Sequence, residues 1–380
     1  MTVVPLLKNR ASASIASLIG RTPLVRLSRF RAGGASLFLK LEQFNPGGSI
    51  KDRTALGMIL RAEEDGLLRP GMRIVESSSG NTAIGLAMLA IDRGYTVTAI
   101  CDRHLPAAKR ARLTALGATV VFLPPTPLGM DTVELRIAVA THLAHAVAGC
   151  VSLGQYSNPA NPDIHYRTTG PEIWAALHGR IDAVVIAVGT CGTISGVGRY
   201  LKQRDRHVSV IGVEPQGSII FGGEDAPYFI QGGGLSFSPS ILNRSVIDEG
   251  RKVSDADAIA AAHELGRADG WIVGGTGGLV AHVLGQLSFE LGRGRNVVGL
   301  IPDGGERYLD TLYDPRWLQS HQFVDANAGG RGDYSGFADA VRAIGCSLDT
   351  TDETSGVSAE ELARIVGGKL PDVRLPLAVE

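Results

Sequence analysis

Ala183-Val184-Val185-Ile186-Ala187-Val188-Gly189-Thr190-Cys191-Gly192-Thr193 is an apolar, β-branched run that breaks into a turn containing two glycines. A helical pattern follows over 193–202. A strand running through glycine into a helix is the unit from which parallel α/β folds are built. Working outward, strand patterns recur at 36–41, 73–77, 96–101, 119–123, 208–214 and 296–302. Between them lie helical patterns at 82–92, 107–116, 255–268 and 279–290. Alternation of this kind predicts an α/β fold with open twisted parallel sheets flanked by helices. Ligands in such folds gather beyond the carboxyl ends of the strands, where glycine-rich turns enter helices.

Two further junctions share this form. Glu76-Ser77-Ser78-Ser79-Gly80-Asn81-Thr82 crowds hydroxyls and an amide into one turn, and Gly274-Gly275-Thr276-Gly277-Gly278 places one hydroxyl among four glycines. The first can hold a carboxylate through backbone N–H groups, hydroxyls and the positive helix end, or can simply cap a helix. The second says only that something flat, or another backbone, comes close. The loop Gly189-Thr190-Cys191-Gly192-Thr193 suits a phosphate at a helix start. It also partly mimics a dinucleotide site, since Glu214 ends the next strand, although its glycines lack the GxGxxG spacing. A plain strand–helix turn is the remaining alternative. Sequence order puts the first junction in one αβ unit and the other two in a later one, with a cleft between two lobes.

Lysine is scarce: there are seven, at 8, 40, 51, 109, 202, 252 and 369. Of these, Lys51 sits in a glycine-rich connection, Asn45-Pro46-Gly47-Gly48-Ser49-Ile50-Lys51-Asp52-Arg53. An amine held where backbone can close around a small molecule suits Schiff-base chemistry with a carbonyl cofactor. A solvated lysine at a helix start is the other reading.

With 380 residues the chain is long enough for two domains, and a 44% hydrophobic content supplies ample core. A net charge of −1 gives no electrostatic case for nucleic acid or an anionic membrane. Cys101, Cys150, Cys191 and Cys346 are scattered without CxxC or Cys/His spacing, so no metal site is expected. Cys101 and Cys150 border apolar runs and read as buried free thiols. No secretory signal and no apolar stretch of about 18 residues is visible, which leads to the expectation of a cytoplasmic protein away from membranes. After Trp317 the alternation stops. Residues 319–335 read as a linker, followed by amphipathic helix candidates at 337–344 and 359–366.

Taken together, the motifs resemble the cysteine synthase family of pyridoxal phosphate enzymes (fold type II, tryptophan synthase β-like). The resemblance rests on Leu18-Ile19-Gly20-Arg21-Thr22-Pro23-Leu24, the Asn45–Arg53 run, Gln155-Tyr156-Ser157-Asn158-Pro159-Ala160-Asn161-Pro162 and Thr169-Gly170-Pro171-Glu172-Ile173-Trp174. It implies that Lys51 carries pyridoxal 5'-phosphate and shuttles the Cα proton. Asn81 would face the cofactor's phenolic oxygen, Gly189, Thr190, Cys191, Gly192 and Thr193 its phosphate, and Thr276 its ring nitrogen. Ser78, Ser79, Gly80, Thr82 and Gln155 would bind the substrate carboxylate. The implied reaction is β-replacement on an O-activated L-serine through an aminoacrylate, in a homodimer acting on small amino acids.

Pro302-Asp303-Gly304-Gly305-Glu306-Arg307-Tyr308, Gly217-Ser218-Ile219-Ile220-Phe221-Gly222 and Ile241-Leu242-Asn243-Arg244-Ser245 resemble the siderophore-type N-(2-amino-2-carboxyethyl)-L-glutamate synthase branch. That branch joins O-phospho-L-serine to glutamate on the way to 2,3-diaminopropionate. Thr82-Ala83-Ile84-Gly85 and Gly196-Val197-Gly198-Arg199-Tyr200 resemble ordinary cysteine synthases, for which O-acetylserine or O-phosphoserine would meet sulfide or another sulfur nucleophile. The resemblance also implies a smaller αβα lobe over 46–157, a larger cofactor lobe over 10–45 and 158–317, and an extension over 318–380.

Overall fold

A computed structural model describes residues 14–78, 80–101, 105, 107–123 and 132–323. The chain divides into two compact units, Met1–His321 and Gln322–Glu380, and the elements below belong to the first. In chain order the strands are β1 (Leu24–Arg26), β2 (Ser36–Leu41), β3 (Arg73–Ser77), β4 (Thr96–Cys101), β5 (Thr119–Phe122), β6 (Cys150–Val151), β7 (Ala183–Ala187), β8 (Ser209–Pro215), β9 (Glu249–Val253) and β10 (Asn296–Ile301). The helices are α1 (Lys51–Glu64), α2 (Asn81–Arg93), α3 (Ala107–Ala115), α4 (Thr132–Ala146), α5 (Ala160–Arg167), α6 (Thr169–Ala176), α7 (Gly192–Arg204), α8 (Asp255–Asp269), α9 (Gly275–Leu291) and α10 (Pro315–Ser320).

The strands form two sheets. The larger runs β1-β2-β10-β7-β8-β9, all parallel except β1, which lies antiparallel on β2. The smaller runs β5-β4-β3-β6 and is parallel throughout. Val184, Val185 and Ile186 of β7 and Val297, Val298 and Ile301 of β10 are fully buried. Such continuous apolar runs follow from helices covering both faces of a parallel sheet.

The glycines at 274–278 serve helix packing. A Cβ on Gly278 would lie 2.2 Å from the Ala258 carbonyl oxygen of α8, and one on Gly277 2.7 Å from Val273. The close neighbour is thus backbone at Gly278 and a side chain at Gly277.

Seven expected strands and the helices between them form, with ends shifted by at most two residues except in α9, which starts at Gly275, four residues before the expected 279. Thr119–Phe122 stops before Leu123, Ala183–Ala187 before Val188, and Asn296–Ile301 before Pro302, while Ser209–Pro215 starts one residue late. The pattern did not mark β1, β6, β9, α4, α5, α6 or α10. β6 has two residues and β1 three, and β9 is a polar edge strand with little buried surface. Residues 319 and 320, read as linker, complete α10, which Asp314 caps by accepting from the Arg316 N–H with Pro315 in the first turn. The helix candidates at 337–344 and 359–366 lie outside the described residues. Cys101 is a buried free thiol as expected, whereas Cys150 is only partly buried.

Candidate active site

Lys51 is the first residue of α1, and the turn before it is pinned to the end of β10. Ser49 bridges Asp303, and the Ile50 N–H donates to the Pro302 carbonyl at 2.9 Å. The junction therefore holds the amine at the carboxyl end of the central strands. Two glycines make this possible. Gly48 has φ +76° with the Arg307 guanidinium where a Cβ would go, and a Cβ on Gly47 would meet the Asp52 carboxylate at 2.3 Å.

Burial lowers the Lys51 pKa, with Cys191 and Asp303 opposing the shift. A desolvated lysine carries more neutral amine near neutrality, the form that can attack a carbonyl or accept a proton. Arg53, two residues on, has the opposite surroundings. Its guanidinium donates to Glu42 at 2.7 and 2.9 Å and to both oxygens of Glu172 at 2.7 Å. Lys40 also reaches Glu172, at 2.6 Å. Although burial pushes the other way, Arg53 and Lys40 hold Glu172 down at about 2.

Lys51 faces a cavity of about 640 Å³ that also touches Ser78, Gly80, Asn81, Thr82, Gln155 and Thr276. A side recess of about 30 Å³ is lined by Lys51, Gly189, Thr190, Cys191, Thr193 and Thr276. The three glycine-bearing junctions and the lysine thus converge, as expected. Gly192 is outside both linings and acts in packing: a Cβ there would lie 2.0 Å from Asn161 Oδ1. Ser79 lies outside the described residues.

At the recess, α7 begins at Gly192 without a side-chain cap, after Cys191 in the left-handed region at φ 66°. Its first N–H groups have no intrahelical partners. Thr190 is held by Asn161, whose Nδ2 donates to Thr190 Oγ1 at 3.2 Å and to the Gln155 carbonyl at 2.9 Å. Thr193 Oγ1 lies 3.3 Å from His165 Nε2. Burial first, then Arg53 and Lys51, keep His165 well below its usual pKa and so neutral. Burial pushes the Cys191 thiol up to about 12, so it stays protonated.

On the smaller-sheet side, Ser78 Oγ accepts from the Gly80 and Ala83 N–H groups at 3.3 and 3.2 Å. It caps α2 and keeps its own proton for a ligand. Thr82 gives its proton to Gln155 Oε1 at 2.6 Å, while Gln155 Nε2 donates to the Ser77 carbonyl at 2.7 Å. Thr82 therefore orients Gln155, which retains a second N–H. Gln155 is set from below by Glu76, which accepts the Gly154 and Gln155 N–H groups and which burial raises to about 7.

Several groups in the wall were quoted in the sequence only as parts of motifs or not singled out. Asn81 Nδ2 donates to Asp303 Oδ2 at 2.7 Å, and Asn81 Oδ1 accepts from Arg307, which also donates to the Gly47 carbonyl. Tyr308 donates to the same Asp303 oxygen at 2.8 Å. Lys109 and Arg136, 8% and 7% exposed, line the cavity from α3 and α4. Their positions carry no local motif, and only the tertiary fold brings them to the cavity that Lys51 lines.

These residues fit pyridoxal phosphate. A desolvated amine, an uncapped helix start behind two threonines and a buried Thr276 hydroxyl line one recess, and Asn81 opens onto the adjoining cavity. Residues 15–303 match the family model described as pyridoxal-phosphate dependent enzyme. Cystathionine beta-synthase of Apis mellifera is 37% identical over 318 residues, covering 82% of this chain, and the match takes in 63% of that protein's length. Cysteine synthase of Staphylococcus aureus (strain N315) is 38% identical over 301 residues, covering 78% of this chain and 96% of that protein. Among solved structures, O-ureido-L-serine synthase aligns with a TM-score of 0.77 at 36% identity, covering 86% of this chain and 100% of that one. O-acetylserine dependent cystathionine beta-synthase from Helicobacter pylori aligns with a TM-score of 0.75 at 30% identity, covering 80% and 99%. Matched by that family model over residues 15–303 and by these relatives over most of its length, the chain belongs to the family of pyridoxal-phosphate dependent enzymes.

Proposed function

We propose that the protein catalyses β-replacement on an O-activated L-serine, with O-phospho-L-serine as donor and an amine such as L-glutamate as acceptor. The observation that carries this reading is the charge of the cavity. Its described lining residues include three cations, Lys51, Lys109 and Arg136, against two carboxylates, Asp225 and Asp303. Besides Lys51, the buried Lys109 and Arg136 line the cavity, a setting that suits a substrate with anionic groups beyond its α-carboxylate. Arg136 supplies the planar fork that suits a phosphate leaving group.

Pyridoxal phosphate held across the cavity and its recess would supply an electron sink for Cα and so would let a group leave from Cβ. The residues do the rest. The uncapped start of α7 and Thr190 would hold its phosphate, and Thr276 would offer a neutral hydroxyl to its ring nitrogen. Lys51 Nζ takes the Cα proton and returns it after the acceptor has added, its lowered pKa keeping the amine available. The Ser78 hydroxyl, the free N–H of Gln155 and the first N–H groups of α2, at Asn81 and Thr82, receive the α-carboxylate.

A second reading takes sulfide or another sulfur nucleophile as acceptor. It is favoured by the cysteine synthase and O-acetylserine dependent relatives.

The test uses the holoenzyme in two stages. Mixed with O-phosphoserine alone, it is expected to release about one phosphate per site and stop, because donor and acceptor chemistry are separate. Added glutamate should restart phosphate release. Restart by sulfide alone supports the second reading. Acetate release from O-acetylserine with no phosphate from O-phosphoserine overturns the donor assignment, and release of neither overturns β-replacement.

A further inference from the structure

We propose that Arg307 is a positioning residue that fixes the first turn of α2 against the turn carrying Lys51, and so sets the substrate's Cα over the amine. The proposal rests on the reading above in placing the α-carboxylate at the start of α2. Arg307 is outside the linings of both the cavity and its recess, so it acts through other groups. Its side chain is 9% exposed. A guanidinium this well buried ordinarily meets a carboxylate, as Arg53 does. Arg307 instead donates from one Nη to the Gly47 carbonyl and from the other to Asn81 Oδ1. Glu306 Oε1 stands 3.7 Å from its Nε, beyond hydrogen-bond reach.

The fork is therefore spent on joining two neutral acceptors in separate segments. A guanidinium is planar and its donors keep fixed positions relative to one another, so it holds both acceptors in one geometry. At one end, the Gly47 peptide is pinned on its other side too, because its N–H donates to Asp52 Oδ2 at 2.5 Å. The guanidinium also fills the space where a Cβ on Gly48 would go. Lys51 follows directly as the first residue of α1. At the other end, Asn81 is the first residue of α2, and its Nδ2 donates to Asp303 Oδ2 at 2.7 Å. Asp303 is in turn bridged to Ser49. Two ties from the segment after β10 thus link the turn of the amine to the turn that receives the carboxylate.

Cα is one bond from that carboxylate. The position of α2 relative to Lys51 hence decides whether the Cα proton lies within reach of Nζ, and proton transfer is sensitive to such placement. Asp303 lines the cavity and Arg307 does not, which makes Arg307 the cleaner probe of the tie.

The test compares wild type with Arg307→Met and Arg307→Lys as holoenzymes, with L-serine as a probe that serves whatever the leaving group. Affinity is read from the change in cofactor absorbance on titration. Proton transfer is read by NMR as exchange of the Cα hydrogen in deuterium oxide, per cofactor-loaded site. We expect Arg307→Met to slow exchange on the order of 10–100-fold, as for a reacting group misplaced by about 1 Å. Affinity for serine should change much less, because Ser78, Gln155 and the α2 N–H groups remain. Arg307→Lys should recover part of the rate, since its ammonium can reach one acceptor without the fork. Exchange at the wild-type rate in Arg307→Met, equal loss of affinity and exchange, or no recovery by lysine overturns the proposal. Wild type that releases phosphate or acetate but exchanges no Cα hydrogen overturns this coupling alone. Wild type that exchanges serine but releases neither overturns β-replacement, and the Arg307 variants still decide the coupling. Absence of both overturns both.

Discussion

Lys51 and Arg53 are cations two residues apart in the first turn of α1, and the fold treats them oppositely. Arg53 is 1% exposed and bonded to two carboxylates on its far side. Lys51 faces the cavity, where burial lowers its pKa with only partial opposition from Asp303 and Cys191. Asp52, between them, turns back to accept the Gly47 N–H at 2.5 Å, and burial raises it to about 7. One helical turn thus anchors itself with a paired charge and exposes an under-compensated one to substrate. A buried guanidinium that keeps its charge can serve as an anchor, whereas an ammonium that loses its proton readily can serve as a base.

Breaking the reactive face has the largest expected effect. Lys51→Ala should lower turnover on the order of 10⁴-fold, the upper range for a positioned proton-transfer group. It should leave the melting temperature near that of wild type, since no carboxylate depends on Lys51 for a salt bridge among the described residues. Full phosphate release in that variant would remove the assignment. Breaking the anchoring face should do the reverse. Arg53→Met leaves the buried Glu42 carboxylate short of its partner, and urea unfolding should show a loss of about 3–5 kcal/mol. A variant as stable as wild type would show that the network is dispensable.

The smallest effect sharpens the contrast through pH. Glu172 sits at about 2, below its ordinary 4.5, so its contribution is complete above 4.5 and disappears as pH falls through about 2. That shift corresponds to at most about 3 kcal/mol. The net gain is smaller, because burial lowers Lys40 despite the same carboxylate. Glu172→Gln should flatten the acid limb of a melting-temperature profile between pH 4.5 and 2. A limb as steep as in wild type would place the acid sensitivity elsewhere.

Much of this was legible along the chain, for identifiable reasons. Seven strands showed as apolar runs because parallel strands are buried on both faces, and Lys51 showed because a lysine after Pro-Gly-Gly is unusual in a chain with seven. The structure brought Lys51, Asn81, Thr190, Cys191, Thr193 and Thr276 together around one cavity and its recess, as their junctions suggested. Thr82 lines the cavity with its hydroxyl given to Gln155, and Gly192 stands at the start of α7 with Asn161 where a Cβ would go. The edge strand β9 and the helices α4 to α6 were not marked, because short or weakly periodic segments are set by what they pack against.

By itself, the sequence determined the α/β alternation, the three glycine junctions and the amine, since these depend on local steric and apolar patterns. The tertiary structure alone decided which charges meet. Arg53 and Glu172 are 119 residues apart, Asn81 and Asp303 are 222 apart, and Lys109 and Gln231 are 122 apart. Electrostatic partnership depends on distance in space and on desolvation, and neither is written in local sequence. The same fact explains why Lys51 was readable from its local motif, while no motif marks Lys109 and Arg136 on the cavity wall.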